Sequence, residues 1–248
     1  MMLDEAHEHV TEEENYFVSM TDMMVGLVFI FIILLMYFAL QFRQVTDELT
    51  GADATRAEIL KKIQSSLLDQ DIRVSIDTQN GVLRLPDSIL FDSGRDQLKP
   101  EGEVAVAKLS RALEEVLPCY TQNLSNTQRP EHCAATEHAI ESVYIEGHTD
   151  LDAFSGGGRD NWDLSVVRAT NTYRELVYTR PKLSELCTAK GSQCEPVLSV
   201  SGYGPQRPID NGDSVDAKAK NRRIDLRIIM VAPDSGETVR QVEQALLK

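Results

Sequence analysis

One aspartate, Asp22, stands near the start of a long apolar segment, where a charged side chain is unusual. Residues 23–40 carry no charge and no proline. A hydrocarbon core about 30 Å thick needs about 20 helical residues, so a helix over residues 17–38 would span it with Asp22 in its first or second turn. A carboxylate in such a helix costs roughly 2.5–3.5 kcal/mol near the bilayer centre and less near an interface. The sequence therefore predicts a partner or an ion for Asp22, with the polar end of the helix as the alternative interpretation.

A second set of polar residues surrounds the end of a predicted strand in the C-terminal part of the chain. Asp150 closes the sequence Ile-Glu-Gly-His-Thr-Asp, in which Gly147 is expected to let the backbone turn. Asn161 is predicted to cap the next helix, since asparagine is a preferred N-cap residue. Arg168 follows seven residues later, two turns along that helix, and is expected to face back toward the loop.

An aspartate and an arginine held apart across one pocket suit a zwitterionic ligand. Asp150 would bind the ammonium group of the ligand, and Arg168 would bind its carboxylate through the guanidinium. The alternative is an internal salt bridge between Asp150 and Arg168 that only closes the loop. On the residues alone the two interpretations are about equal.

The remaining polar residues do not form a catalytic pattern. His148 and Asp150 lack a serine or cysteine nucleophile at a suitable turn. The glycines at 156–158 are not followed by the Gly-Lys-Ser/Thr sequence of a phosphate-binding loop. The sequence therefore predicts no enzymatic activity, no cofactor and no metal site.

Net charge and length limit the partners and the domain organisation. The formal net charge of −14 argues against nucleic acid and anionic lipid as main partners. About 200 residues follow the membrane segment, enough for one domain with a sizeable core. We predict an acidic cytoplasmic tail (1–15), a transmembrane helix (16–42), a helical linker (43–70), a globular domain (71–233) and a C-terminal helix (234–248).

In the linker, Ile59, Ile63 and Leu67 lie four residues apart and form one helical stripe. The stripe is compatible with a plain stalk or with a dimerising or plug-like helix, and it is too short to separate these. In the domain, Asn80-Gly81 between two alternating runs indicates a β-hairpin. Further patterns predict helices over 100–117, 161–178 and 238–247 and strands over 142–146, 197–201 and 224–231. Together they predict an α/β (α+β) sandwich, in which helices cover one sheet.

Two observations disagree about the orientation of the chain in the membrane. The first 15 residues contain six acidic residues and no Lys or Arg, so the positive-inside rule would place the N-terminus outside. All four cysteines lie in the C-terminal domain, and the pairs Cys119–Cys133 and Cys187–Cys194 would each close a short loop. Disulfides persist in oxidising compartments. We therefore predict a cytoplasmic N-terminus and a periplasmic domain.

The cysteines leave alternatives open. Four cysteines allow three connectivities, so the two pairs rest on proximity in the sequence. A reduced cytosolic domain is a second possibility. A zinc site that uses His132 beside Cys133 is a third.

Several ordered blocks in residues 72–232 resemble the OmpA C-terminal (OmpA/MotB) family of peptidoglycan-binding domains. The blocks are ILFDSG (89–94), IEGHTD (145–150), NWDLSVVRA (161–169), GYG (202–204) and NRRIDLR (221–227). The resemblance implies that the zwitterion is the diaminopimelate end of a peptidoglycan stem peptide. The residues that it implies around this ligand are Asp150, Arg168, Thr149 and Asn161, with Asp92 as an additional wall, whereas Arg223 is expected to be structural.

The membrane segment resembles the stator subunits of the MotB type, because Asp22 stands early in it within Ser-Met-Thr-Asp-Met-Met. Flagellar members usually carry Ala-Asp-Phe and a basic tail, and the acidic tail here is more similar to the ZorB family of the Zorya anti-phage defence systems. The resemblance implies an inner-membrane, ion-driven motor in which Asp22 takes up and releases a proton or binds Na⁺. It also implies a MotA- or ZorA-like multi-helix partner around a homodimer of this chain. The alternatives are a static peptidoglycan tether and a flagellar stator subunit.

Overall fold

The computed structural model describes residues 4–123, 130–136, 138–154, 158–188 and 194–232, with only the backbone of residues 4–19, 45 and 48. The chain divides into two compact units, Met1–Leu49 and Thr50–Lys248. Helix α1, Asp4–Leu68, contributes to both. The predicted C-terminal helix lies outside the described residues.

The first unit is an apolar helix whose side chains are open to the surroundings. Its 18-residue window of highest mean hydropathy reaches 2.8, and none of that window is buried. Large apolar side chains such as Phe29, Phe31 and Ile33 are each more than half exposed. Among the described helices, this is the one that is long and apolar enough to cross a membrane.

The last part of α1 belongs to the core of the second unit, which corrects the predicted linker. Ile59, Leu60, Ile63 and Leu67 are at most 1% exposed and join the main apolar cluster. Their spacing places them on one face of the helix, and that face packs into the domain. In the structure the second unit begins at Thr50, and its core covers the stripe.

A five-stranded sheet forms the centre of the second unit. The strands are β1 (Ser75–Asp77), β2 (Val82–Pro86), β4 (Ile140–His148), β7 (Leu198–Gly202) and β8 (Arg223–Met230). Their order is β1-β2-β8-β4-β7, and only β4 and β7 pair in parallel. A second sheet joins β3 (Gln122–Asn123), β5 (Leu186–Thr188) and β6 (Glu195–Pro196).

The helices of the second unit follow the strands closely. They are α2 (Asp87–Leu90), α3 (Pro100–Val116), α4 (Asn161–Thr179) and α5 (Val215–Asn221). Short 3₁₀ turns occupy Leu117–Cys119 and Pro181–Glu185. Helix α4 connects the parallel strands β4 and β7 and contacts both. The predicted sheet covered by helices is confirmed.

Strand β8 shows how the sheet separates an apolar from a charged face. Ile224, Leu226 and Ile228 are buried in the main apolar cluster. Successive side chains of a strand point to opposite faces, so the alternate residues Arg223, Asp225 and Arg227 share the other face. That face therefore carries a row of charged groups in the middle of the domain.

Candidate functional site

The start of α4 is fixed by Asp160, and not by Asn161 as predicted. One carboxylate oxygen of Asp160 accepts hydrogen bonds from the backbone N–H groups of Trp162 (2.8 Å) and Asp163 (3.1 Å). The Asp163 carboxylate accepts in turn from the Asp160 N–H at 3.0 Å, which completes a capping box. Aspartate caps as well as asparagine, and only position 160 has an acidic partner three residues later.

Asn161 instead ties down the loop between β4 and α4. Its side-chain amide donates to the carbonyl oxygen of Asp152 at 2.8 Å and lies 3.5 Å from that of Asp150. The hydroxyl of Thr149 also donates to the Asp150 carbonyl, and its N–H donates to the carbonyl of Gly204. Asn161 and Thr149 therefore hold the backbone on which Asp150 stands.

Gly147 has a different role from the predicted turn. It lies inside β4, and a Cβ atom at this position would collide with the backbone of Ser165 in α4. Glycine is therefore required because the helix approaches the strand more closely than any side chain allows. This close approach sets the distance between α4 and the end of β4.

Arg168 is deeply buried and surrounded by residues of one short segment, 87–95. Its guanidinium donates to the Asp87 carboxylate (2.9 Å) and to the carbonyl oxygens of Arg95 (2.8 Å) and Asp92 (3.3 Å). It also lies 5.0 Å from the ring centre of Phe91. The side chain is only 3% exposed, so Arg168 is a structural member of the site as well as a candidate ligand contact.

Asp150 pairs with Arg222, so the internal salt bridge between Asp150 and Arg168 is not formed. The Asp150 carboxylate accepts from an Arg222 terminal nitrogen at 2.6 Å. The Arg222 Nε atom lies 3.8 Å from the Asp87 carboxylate, which also binds Arg168. The four side chains thus form a chain of alternating charge in the order Asp150, Arg222, Asp87 and Arg168, which we call the charge chain.

Burial governs the ionisation at the inner end of the charge chain. Burial raises the pKa of the Asp87 carboxyl, while Arg168 and Arg222 act to lower it. Burial also lowers the pKa of the Arg168 guanidinium, against the effect of Asp87. Each of these two groups therefore stabilises the charged form of the other.

Sequence reasoning brought Asp150, Thr149, Asn161 and Arg168 to one place but missed two members of the charge chain. Asp87 precedes the ILFDSG block, and Arg222 stands inside the NRRIDLR block. The available signal was a charged residue two positions before one block and a charged residue inside the other. The side chain of the predicted wall residue Asp92 is exposed, and its backbone carbonyl contacts Arg168.

A buried polar cluster on the charged face of the sheet is a different arrangement. Glu146, His148 and Asp225 bring possible metal-binding atoms within 4.8 Å of one another. Both Glu146 oxygens accept from Arg227 at 2.9 Å, and Asp225 accepts from Arg223 at 3.0 Å. Burial opposes the ionisation of Glu146, but His148 and Arg227 lower the pKa of its carboxyl to about 2. These carboxylates are thus neutralised by arginines, and Arg223 has the structural role that was expected.

The two expected disulfides are present in the structure. Cys119 is bonded to Cys133, and Cys187 is bonded to Cys194. The imidazole of His132 lies 3.8 Å from the Cys119 sulfur. Because both sulfurs beside His132 are bonded to each other, they are not thiolate ligands for zinc.

In the first unit, Asp22 is exposed on the apolar helix. The sequence holds no Lys or Arg before Arg43, which pairs with Asp47 at 3.8 Å. Arg43 lies 21 positions after Asp22 in the helix, or about 30 Å along the axis. The unit therefore contains no guanidinium or ammonium side chain near Asp22.

The chain resembles several known proteins. No family model matches the chain. The chain is 26% identical to Motility protein B of Bacillus subtilis over 175 residues, which cover 70% of this chain and 54% of that protein. The chain is MotB-like. Because the match covers 54% of Motility protein B, the chain spans about half of the length of this relative.

The chain has two further similarities to known proteins. The chain is 23% identical to the Zorya protein ZorB of Escherichia coli over 231 residues, which cover 88% of this chain and 89% of that protein. A crystal structure of a putative MotB-like protein from Desulfovibrio vulgaris is 22% identical, with a TM-score of 0.49, and covers 72% of this chain and 97% of that one.

Proposed function

We propose that this MotB-like chain is a membrane-anchored stator subunit of an ion-driven motor that is fixed to peptidoglycan. The observation that carries the proposal is Asp22, a carboxylate in an apolar helix without a nearby Lys or Arg. An intramembrane carboxylate has a large desolvation cost and is retained where it has a function. A protein that only anchors a domain needs an apolar helix and no charge within it.

A single helix cannot surround an ion path, so the motor requires further helices. Asp22 would take up and release a proton, or bind Na⁺, at an interface with a multi-helix subunit of the MotA or ZorA type. A homodimer of this chain within such a complex would present two equivalent aspartates. Ion binding at Asp22 supplies the missing counter-charge, which is the physical reason for its place in the helix.

The charge chain supports the attachment to the wall. Asp150 lies on a loop that Asn161 and Thr149 hold in place, and it has a cation within 2.6 Å. Arg168 and Arg222 supply guanidinium groups in the same region, so a zwitterionic group can find both of its counter-charges. A diaminopimelate end of the stem peptide, with an ammonium and a carboxylate on one carbon, has this chemistry.

In this proposal the motor functions in anti-phage defence, as in the Zorya systems. The relation to ZorB extends over 88% of this chain, which is more than the second unit alone. The acidic tail before Asp22 favours the same assignment over a flagellar stator. The chain is then an inner-membrane protein with a cytoplasmic N-terminus and a periplasmic domain.

Replacing Asp22 by Asn tests the motor. Asn has almost the same shape but cannot titrate, so Asp22→Asn is expected to abolish phage protection, measured as plaque number, while the partner subunit still co-purifies. The matched control is Asp47→Asn, an exposed aspartate of the same helix, which should keep full protection. Full protection by Asp22→Asn would contradict the motor and leave a static tether. Restored swimming in a strain that lacks its flagellar stator subunit would favour the flagellar alternative.

A further inference from the structure

Arg222 is the cation that binds the Asp150 carboxylate in the structure. Its terminal nitrogen lies 2.6 Å from the Asp150 carboxylate, at hydrogen-bonding distance for a charged pair. The other carboxylate oxygen of Asp150 accepts from the backbone N–H of Asp152 at 3.2 Å, so a ligand cation that binds Asp150 competes with Arg222 for this carboxylate. The guanidinium released in this way needs a new counter-charge.

The two arginines of the charge chain differ in their access to a ligand. The side chain of Arg222 is 33% exposed, whereas that of Arg168 is 3% exposed. Arg168 already binds one carboxylate and two carbonyl oxygens. Arg222 is therefore the guanidinium that a ligand entering from solvent meets first.

The backbone around Arg222 is held while its side chain can turn. The backbone N–H of Arg222 donates to the carbonyl oxygen of Lys218 at 3.0 Å. The carbonyl oxygen of Arg222 accepts from the N–H of Asp87 at 3.1 Å. The neighbouring Asn221 accepts from the N–H groups of Ile209 and Asp210. Displacement from Asp150 is therefore a change of side-chain torsions and not a movement of α5 or β8.

The chemistry of the ligand decides what this displacement costs. A ligand with only an ammonium group binds Asp150 and separates Arg222 from it. Arg222 and Arg168, which carry the same charge, then have only the Asp87 carboxylate as their common partner. A ligand that also carries a carboxylate returns an opposite charge to Arg222. An uncompensated, partly buried charge is unfavourable, so the exchange favours a zwitterion over a simple amine.

We propose that Arg222 is a specificity-determining residue that selects a free carboxylate next to the ligand ammonium. This inference rests on the proposed binding of peptidoglycan at Asp150. It assigns to Arg222 two partners in turn: Asp150 in the free protein and the ligand carboxylate in the complex. It also predicts that the site rejects stem peptides in which this carboxylate is amidated.

Two soluble peptidoglycan fragments test the inference, one with a free diaminopimelate carboxylate and one with a carboxamide there. The binding of each is measured by calorimetry with the full chain in detergent. The wild type should prefer the free carboxylate by about tenfold or more. Arg222→Gln should reduce this preference to less than about threefold, by weaker binding of the free form and stronger binding of the amide, because Asp150 is then unoccupied.

The matched control is Arg180→Gln. Arg180 is 40% exposed and pairs with Glu114 at 3.4 Å, at the other end of α4. This variant should keep the preference of the wild type.

Three results would overturn the assignment of Arg222. Stronger binding of both fragments by Arg222→Gln would make Arg222 a simple block, and an equal weakening of both would make it a structural residue. Equal affinity of the wild type for both fragments would show that no carboxylate is selected. The absence of wild-type binding to either fragment would contradict the peptidoglycan proposal itself.

Discussion

The two units of the chain differ in the counter-charges that they offer to their carboxylates. In the domain, the buried carboxylates of Asp87, Glu146 and Asp225 have arginine partners at 2.9, 2.9 and 3.0 Å. In the apolar helix, Asp22 is followed by no Lys or Arg until residue 43. The domain therefore contains its own counter-charges, whereas in the proposed motor an ion supplies the counter-charge of Asp22.

The apolar side chains show the same contrast. Leu83, Leu109 and Ile145 are at most 1% exposed in the second unit, while Phe29 and Ile30 of the first unit are more than 60% exposed. The second unit thus buries its apolar surface within itself. The first unit leaves its own apolar side chains exposed.

Truncation tests whether the domain needs the last part of α1 in order to fold. It is the change with the largest expected effect on stability. A fragment of residues 71–248 lacks Ile59, Leu60, Ile63 and Leu67. Full burial of each contributes roughly 1.5–3 kcal/mol, so their sum is comparable to the 5–15 kcal/mol that typically stabilises a domain. The fragment should fail to show a cooperative thermal transition by circular dichroism. A fragment of residues 50–248 should show one, and equal melting of the two would place the start of the domain after the linker.

The charge chain predicts a smaller effect on binding. Asp150→Ala should reduce co-sedimentation of the 50–248 fragment with purified sacculi by at least about tenfold in affinity, since loss of one partner of a buried charged contact costs about 2–5 kcal/mol. Asp210→Ala, which removes an aspartate paired with Lys220 at 2.8 Å, is the control and should bind as the wild type does.

Arg168→Ala should also weaken sedimentation, and it should lower the melting temperature because Asp87 then loses its closest partner. Unchanged sedimentation of both variants, together with lower melting temperatures, would make the charge chain a purely structural feature.

The disulfides provide a test of the compartment in which the second unit lies. Protein taken from membranes and alkylated at lysis should yield the linked peptides Cys119–Cys133 and Cys187–Cys194 under non-reducing conditions. Each bridge closes a short loop, with a gain of about 3 kcal/mol for a loop of about 15 residues. Four alkylated thiols would return the domain to the cytoplasm and remove peptidoglycan as its partner. Crossed pairs would keep the periplasm and change only the connectivity.

The sequence predicted the regular elements better than the partners of the site residues. The hairpin around Asn80-Gly81 and helix α4 carry strong local signals, and both are present. Helix α2 spans four residues and strand β6 spans two. Neither element is long enough to show a periodicity in the sequence. The membership of Ile59 and Leu67 in the core was missed because a stripe shows which face is apolar and not what covers it.

The charge chain illustrates the same limit at the site. The residue types at Asp150 and Arg168 indicated a paired site, but their partners are Arg222 and Asp87, which lie 72 and 81 residues away in the sequence. The contact between Arg222 and Asp87, which links these two pairs, depends on the antiparallel pairing of β2 with β8. That pairing brings residues 86 and 223 opposite each other. Such pairing is a property of the folded sheet and leaves no local pattern in the sequence.

In the proposed motor Asp22 binds and releases an ion, and carbodiimide labelling in membranes tests this role most directly. Dicyclohexylcarbodiimide reacts with protonated carboxyl groups in apolar surroundings, and mass spectrometry identifies the modified residue. In membranes that contain the partner subunit, Asp22 should be labelled at low pH while Asp47 is not. Labelling should fall as the pH rises, or on addition of Na⁺ if sodium is the coupling ion. An Asp22 that stays unlabelled at every pH and sodium concentration, in a complex that is active, would contradict the account.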